Sequence, residues 1–216
     1  MREIFPGIFR EGKRLYTINL VPGKKVYNEK LLKKDREYRE WDPTRSKLAA
    51  AILNGLREVP VNKGNKILYL GASTGTTCSH ISDIVGHDGI IYGIEFAERV
   101  FRSLIDLSEE RKNLVPVLAD CRKLEDYYWV EEVGIVYVDI AQPDQTEIAI
   151  RNANEFLKKD GYLIIAIKSQ SIDVVKRPEQ IYKEEKSKLE KAGFSILDLI
   201  NLEPYEEKHA LILARK

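Results

Sequence analysis

The 216-residue chain is poor in the residues that mark several protein classes. It has two cysteines, Cys78 and Cys121, and three histidines. With no C-x-x-C pair, nothing in the spacing speaks for a structural zinc site, and both cysteines read as small buried thiols of a reducing compartment. Long apolar runs are absent. The longest, such as Tyr162–Ile167, have strand length, far short of the roughly 20 residues that span a bilayer. Charges interrupt the opening MREIFPGIFREGKR before a signal-peptide core can form, so the expected location is the cytoplasm, with no membrane contact. Methionine occurs once, while Lys and Glu abound, which fits a thermophile's protein. Net charge is nearly absent too, at +1, which argues against an overtly basic nucleic-acid binder.

That average hides a split. Residues 1–47 hold 13 Lys/Arg and 7 Asp/Glu, a net of +6, and the remainder nets −5. Apolar residues are 44% of the chain, enough for one sizeable core. The split and the local pattern predict a small N-terminal β domain over 1–45 and a larger domain over 46–216. Ile4–Phe9, Leu15–Leu20 and Lys25–Tyr27 are short β-type runs between turn residues. Leu31–Glu40 is highly charged and reads as a solvated loop or exposed face. Asp42-Pro43-Thr44-Arg45 then leads into an Ala/Leu-rich helix with Leu48, Ile52 and Leu56 on one face.

From residue 66, strands and helices alternate. Lys66–Leu70, Ile90–Glu95, Leu114–Leu118, Gly134–Asp139 and Tyr162–Lys168 read as strands covered on both faces. Helices are expected over Thr77–Val85, Ala97–Glu110, Gln145–Lys158 and 178–192. The fold class is therefore α/β, a doubly wound, mostly parallel sheet. Phe194–Leu202 and Ala210–Ala214 have no helix between them and read as a terminal antiparallel pair.

The loop Gly71-Ala72-Ser73-Thr74-Gly75 joins a strand to a helix, where glycines would let a ligand approach the backbone. It is G-x-x-x-G, neither the dinucleotide fingerprint nor a phosphate-binding Walker loop. Glu95 ends the second strand, 24 residues after Gly71, where a carboxylate can accept both ribose hydroxyls of a nucleoside cofactor. Asp120 and Asp139 follow at the next two strand ends. Three carboxylates at successive strand ends, without a pyrophosphate-binding group, favour S-adenosylmethionine over a nicotinamide dinucleotide. Acidic strand ends suit its amine and sulfonium.

Several motifs together resemble the fibrillarin family, in its archaeal form. They are Trp41-Asp42-Pro43-Thr44-Arg45-Ser46-Lys47-Leu48, Tyr69 through Thr77, Val138-Asp139-Ile140-Ala141-Gln142-Pro143-Asp144-Gln145, and Pro204-Tyr205-Glu206 to His209-Ala210. The Asp-Ile-Ala-Gln-Pro-Asp-Gln run is the specific one. The resemblance implies a Rossmann-like S-adenosylmethionine-dependent RNA 2′-O-methyltransferase, the catalytic subunit of a box C/D ribonucleoprotein. Its implied partners are a box C/D guide RNA, target rRNA and possibly tRNA, a Nop-domain scaffold protein and, through the particle, a kink-turn-binding ribosomal-type protein. The Gly/Arg-rich extension of eukaryotic members is absent, so nucleolar targeting is not implied. The implied cofactor residues are Gly71, Thr76, Thr77, Glu95, Phe96, Asp120, Cys121, Asp139, Ile140, Ala141 and Gln142. Cys121 stands where the family often has Ala.

Methylating a ribose 2′-hydroxyl requires that the hydroxyl lose its proton during attack. A lysine can take that proton only from its neutral form, far below its usual pKa near ~10. Related enzymes use a Lys-Asp-Lys-Glu constellation, and the resemblance places it at Lys47, Asp139, Lys168 and His209. Lys168 is the implied general base, and Lys47, one turn into its helix, would help depress its pKa and contact the RNA. Asp139 would orient Lys168, and His209 would hydrogen-bond the group. Arg45, Lys176 and Arg177 are candidates for a phosphate track. Two other readings stay open at this point. One is a methyltransferase acting on protein or a small molecule, which would not need Lys47 with Lys168. The other is a ribonucleoprotein scaffold without turnover.

Overall fold

In the computed structural model, which describes all 216 residues, the chain folds into two sheets. The first is antiparallel and five-stranded, built from β1 (Arg2–Phe5), β2 (Ile8–Glu11), β3 (Arg14–Ile18), β4 (Leu31–Lys33) and β5 (Glu37–Trp41), in the order β1-β2-β3-β5-β4. The run Ile4–Phe9 is two strands rather than one, because Pro6-Gly7 turns the chain, with Gly7 at φ 72°. Lys25–Tyr27 forms no strand.

Leu31–Glu40, expected as a solvated loop, supplies β4 and most of β5, and Arg39, Tyr38 and Trp41 are buried. The reason is electrostatic. Arg39 points inward because Glu29 (2.7 Å) and Asp83 (2.8 Å) await it there. A charged residue in the sequence therefore marks the inner face of this sheet, not the outer one.

The second sheet contains β6 (Lys66–Leu70), β7 (Ile90–Glu95), β8 (Leu114–Leu118), β9 (Val133–Val138), β10 (Leu157–Lys168), β11 (Ser195–Asn201) and β12 (His209–Arg215). Its order is β11-β12-β10-β9-β6-β7-β8. β6 to β10 pair in parallel, and β12 runs antiparallel between β10 and β11. The helices are α1 (Lys47–Leu53), α2 (Thr76–Val85), α3 (Glu98–Glu110), α4 (Gln145–Phe156), α5 (Ser169–Ile172) and α6 (Pro178–Lys191). This is the expected Rossmann-like arrangement with an antiparallel C-terminal strand. α4 ends at Phe156, where β10 begins, and not at Lys158. β8 is an edge strand, so the Leu114–Leu118 run is not covered throughout, and Leu118 is exposed.

Apolar residues of α1, α2 and α3 cover one face of the large sheet together with Ile8, Leu15 and Trp41 of the small one. Residues of α4 and α6 cover the other face. The chain winds outward from β6 to β8, then returns to β9 on β6's other side. The sheet's topological switch lies between β6 and β9, where open α/β sheets hold their ligands.

Candidate active site

The site begins at that switch. Gly71 follows β6 with φ 82°, and a Cβ there would lie 2.6 Å from the Asp139 carbonyl oxygen after β9. Gly75, also at positive φ, has no room for a Cβ against Leu107 of α3. Contact between protein segments and positive φ therefore both favour glycine here, and Gly71 also lines the clefts described next. Ser73 sits between them at φ 50°, and its N–H donates to Glu95 Oε2 at 2.8 Å. The sharp turn is fixed by the carboxylate it presents.

Two clefts open from this point. The first, about 260 Å³, is lined by Glu95, Phe96, Asp120, Cys121 and Ile140 through Gln142, as well as Gly71, Asp139 and Lys168. Glu95 is buried and accepts backbone N–H groups at both oxygens, the second from Ala97 at 2.9 Å. These bonds aim the carboxylate and leave lone pairs to accept hydroxyls. Asp120 Oδ1 accepts the Arg122 N–H at 2.9 Å. Phe96 is exposed at the rim. Burial pushes the Cys121 thiol up to about 11, so it is an inert wall of the cleft. Acidic groups beside apolar walls fit a nucleoside that carries positive charge at its far end, and so fit S-adenosylmethionine.

The second cleft, about 220 Å³, shares Gly71, Ser73, Asp139 and Lys168 with the first. Thr76, Thr77, Arg45 and Lys47 complete its walls. Thr77 Oγ1 donates to Ser46 Oγ at 3.0 Å, tying the start of α2 to the residue before α1. Of the expected cofactor residues, Thr76 and Thr77 therefore face this cleft, and the others face the first.

Where the clefts meet, Asp139 Oδ1 lies 2.9 Å from Lys168 Nζ and 3.4 Å from Lys47 Nζ. All three side chains are at least four-fifths buried. Burial opposes ionisation of Asp139, but the Lys168 and Lys47 charges outweigh it and hold the carboxyl below its usual value. Lys47 is the first residue of α1, not one turn in. A cation there opposes the helix dipole, so the two carboxylates beside it carry its stabilisation. The second is Glu206, whose Oε1 is 3.8 Å from Lys47 Nζ. His209 enters only behind Glu206: its Nδ1 is 4.0 Å from Glu206 Oε2 and 2.6 Å from the Glu207 carbonyl. A carboxylate thus neighbours Lys47 three residues before His209, the position that the resemblance matched to the Glu of the constellation.

Two further residues escaped the sequence reading. Glu206 stood in the Pro204-Tyr205-Glu206 motif but was assigned no role. Arg122 lines the first cleft, where it donates to Gln142 Oε1 (2.8 Å) and pairs with Asp144 (2.7 Å). Its only sequence signal is adjacency to Asp120 and Cys121. Lys176 pairs with Glu184 at 2.8 Å, and Arg177 lines a separate recess on α6, so neither reaches these clefts.

Comparison with known proteins places this geometry in a family. The fibrillarin family profile matches residues 1–216. A fibrillarin-like rRNA/tRNA 2′-O-methyltransferase of Saccharolobus islandicus is 52% identical over 218 residues, covering 100% of this chain and 94% of the relative. The crystal structure of Aeropyrum pernix fibrillarin with natively bound S-adenosyl-L-methionine matches with a TM-score of 0.87 and 49% identity, over 93% of this chain and 88% of that one. The fibrillarin chain of a fibrillarin/Nop5p complex matches with a TM-score of 0.89 and 39% identity, over 99% of each chain. With its profile matched end to end and half its residues shared with a relative, the chain belongs to the fibrillarin family.

Proposed function

We propose that the protein is the catalytic subunit of a box C/D ribonucleoprotein and methylates ribose 2′-hydroxyls of rRNA and tRNA, directed by a guide RNA. The observation that carries this reading is the meeting of the two clefts at Lys168, Asp139 and Lys47. One cleft suits a nucleoside cofactor and the other brings an acceptor to the same three side chains. A methyltransferase for small molecules would use the first cleft without needing paired lysines in the second. S-adenosylmethionine, when bound, supplies an electrophilic methyl group.

The chain's own residues do the rest. Glu95 accepts the ribose hydroxyls of the cofactor, and Asp120 and Cys121 border its base. Lys168, having first released its own proton to solvent, takes the proton of the attacking 2′-hydroxyl at Nζ, and Asp139 holds that amine in line. Lys47 draws on the same carboxylate and faces the RNA, while Glu206, backed by His209, keeps Lys47 in place. Residues 1–45 form a β domain joined to a methyltransferase domain of residues 46–216. The Nop5p complex of the relative supports a Nop-domain scaffold as partner. Guide RNA and a kink-turn-binding protein complete the assembly under this reading, and its place of work is the cytoplasm of an archaeal cell.

The test is methyl transfer by the protein assembled with guide RNA, scaffold and kink-turn-binding protein on a matched target. One guided nucleotide gains a 2′-O-methyl group, and the isolated chain gives little product. Transfer to a protein or small molecule in place of RNA would overturn the reading.

A further inference from the structure

Arg45 is the one cation of the second cleft that touches no carboxylate: Lys47 and Lys168 are both paired, and Arg45 forms no ion pair. Its backbone is nonetheless fixed. Asp42 Oδ1 accepts both the N–H (2.8 Å) and the hydroxyl (2.7 Å) of Thr44, and the Arg45 N–H donates to the Asp42 carbonyl at 3.2 Å. Ser46 is then pinned to Thr77, and Lys47 opens α1. One turn thus sets Arg45 and Lys47 two residues apart on the same wall. The Arg45 guanidinium lies over the Tyr27 ring, 5.2 Å from its centroid. Tyr27 is itself held: its hydroxyl donates to the Glu40 carbonyl (3.0 Å), lies 2.7 Å from His80 Nε2, and accepts the Asp42 N–H (3.3 Å).

A cation–π contact of this kind limits the motion of the guanidinium and leaves its N–H donors free for an anion. Arg45 also borders a second recess, lined by Tyr27, Lys30 and Pro43 together with Glu29, Glu40 and Asp42, so that Arg45 and Lys30 are its only cations. It therefore stands where the reacting cleft and a neighbouring recess meet, in reach of a phosphate next to a ribose bound at Lys168.

We propose that Arg45, stacked on Tyr27, is a positioning residue that clamps a phosphate of the target RNA next to the methylated ribose. This rests on the RNA 2′-O-methyltransferase reading above. The clamp sets which ribose faces Lys168 and adds one charge contact to RNA binding. Lys47 and Lys168 already share the Asp139 carboxylate, whereas Arg45 has its whole charge available for that contact.

The experiment is steady-state methylation by the assembled particle with Arg45→Ala, Arg45→Lys and Tyr27→Leu, with the affinity for S-adenosylmethionine measured separately by titration. Arg45→Ala raises KM for target RNA about tenfold, the scale of one lost charged hydrogen-bond contact, and the loss falls on KM more than kcat. The slope of log(kcat/KM) against log[salt] becomes shallower by about 0.7–1, one phosphate's worth. Arg45→Lys recovers the salt slope but only part of the KM, since a point charge does not stack or fork. Tyr27→Leu with Arg45→Ala costs less than the sum of the two single changes. An unchanged KM and salt slope in Arg45→Ala would overturn the clamp. So would a loss confined to cofactor affinity, which would make Arg45 a ligand of the cofactor carboxylate. If the unaltered particle makes no 2′-O-methyl product, the functional reading itself fails, and that result is separate.

Discussion

Two charge clusters in this molecule use nearly the same ingredients. At the strand ends, Lys168, Lys47, Asp139, Glu206 and His209 lie 2.9–4.0 Å apart. Beneath the small sheet, Arg39, Arg111, Glu29 and Asp83 pair at 2.6–2.8 Å, with Asp83 shared by both arginines and His80 4.0 Å from it. The second cluster is fully sealed. Its arginines also donate to the Ser79 carbonyl, and Thr17 bridges Asp83 and His80 at 2.7 and 2.8 Å. The first faces two clefts and is more loosely paired. The cations differ in kind as well. Arginine does not give up its proton in proteins, so the sealed cluster can tie the small sheet to α2 but cannot move protons, whereas lysine can do either. Burial and cation type, not the presence of an ion network, separate the reacting centre from the fastening.

The largest effect expected from that contrast is at Lys168. Lys168→Ala should lower the rate of guided methyl transfer by roughly 10²–10⁴-fold, the usual worth of a general base. Lys168→Arg, which keeps the charge but cannot accept a proton, should not restore it. Both variants should still bind S-adenosylmethionine in a direct titration. Substantial transfer by Lys168→Arg would reduce this residue to an electrostatic role and blur the comparison.

The sealed cluster should show the opposite signature. Asp83→Ala leaves two buried guanidinium groups without their shared partner, at a cost of about 3–5 kcal/mol. Denaturant unfolding followed by circular dichroism would register the loss. Methyl transfer by the fraction that stays folded should be nearly normal. A variant that remains stable yet inactive would mean that this cluster also takes part in the chemistry.

The contrast also explains what the sequence could and could not reveal. Strand ends are easy to locate, because an apolar run stops at a polar residue, and so Glu95, Asp120, Asp139 and Lys168 were all legible. Each belongs to a strand whose neighbours follow from the βα alternation. Arg39 was not legible. Alternation rules read a charged residue as solvent-facing, and its partner Asp83 lies 44 residues away on a helix. Glu206 was hidden for a related reason. It lies on the non-repetitive link between β11 and β12, where no periodicity says which of Glu203, Glu206 and Glu207 turns inward. The glycines were legible as a tight turn open to a ligand, but the protein contact that also demands one of them was not. Gly71 is required by the carbonyl of Asp139, a contact visible only once β6 and β9 are paired.

A smaller effect, again specific to the sealed cluster, should appear with pH. Burial first, and then the Arg39 and Arg111 charges, hold His80 well below the usual histidine range. The unfolded chain would protonate this residue below about pH 6.5, but the folded chain would not until much lower pH. Its contribution to stability is therefore complete above pH 6.5 and is lost as pH falls below it, with a slope approaching about 1.4 kcal/mol per unit. His80→Phe should flatten that slope between pH 6.5 and 5 in denaturant titrations, whatever it does to absolute stability. An unchanged slope would assign the acid sensitivity to other groups.

Arg122 should give the smallest effect, and it sharpens the distinction between the two kinds of cation. It is an arginine at the active site, about one-third exposed, and it touches Gln142 and Asp144, with no contact to Asp139 or Lys168. By its chemistry it can place the Gln142 side of the first cleft but cannot exchange protons. Arg122→Ala should therefore weaken S-adenosylmethionine binding only a few-fold, since a partly solvated ion pair contributes little. The rate at saturating cofactor and the pH profile of transfer should stay close to those of the unaltered protein. A shift in that pH profile would be the informative failure. It would mean that the field of Arg122 reaches Lys168 across the cleft, and that arginine near this centre does more than hold its walls.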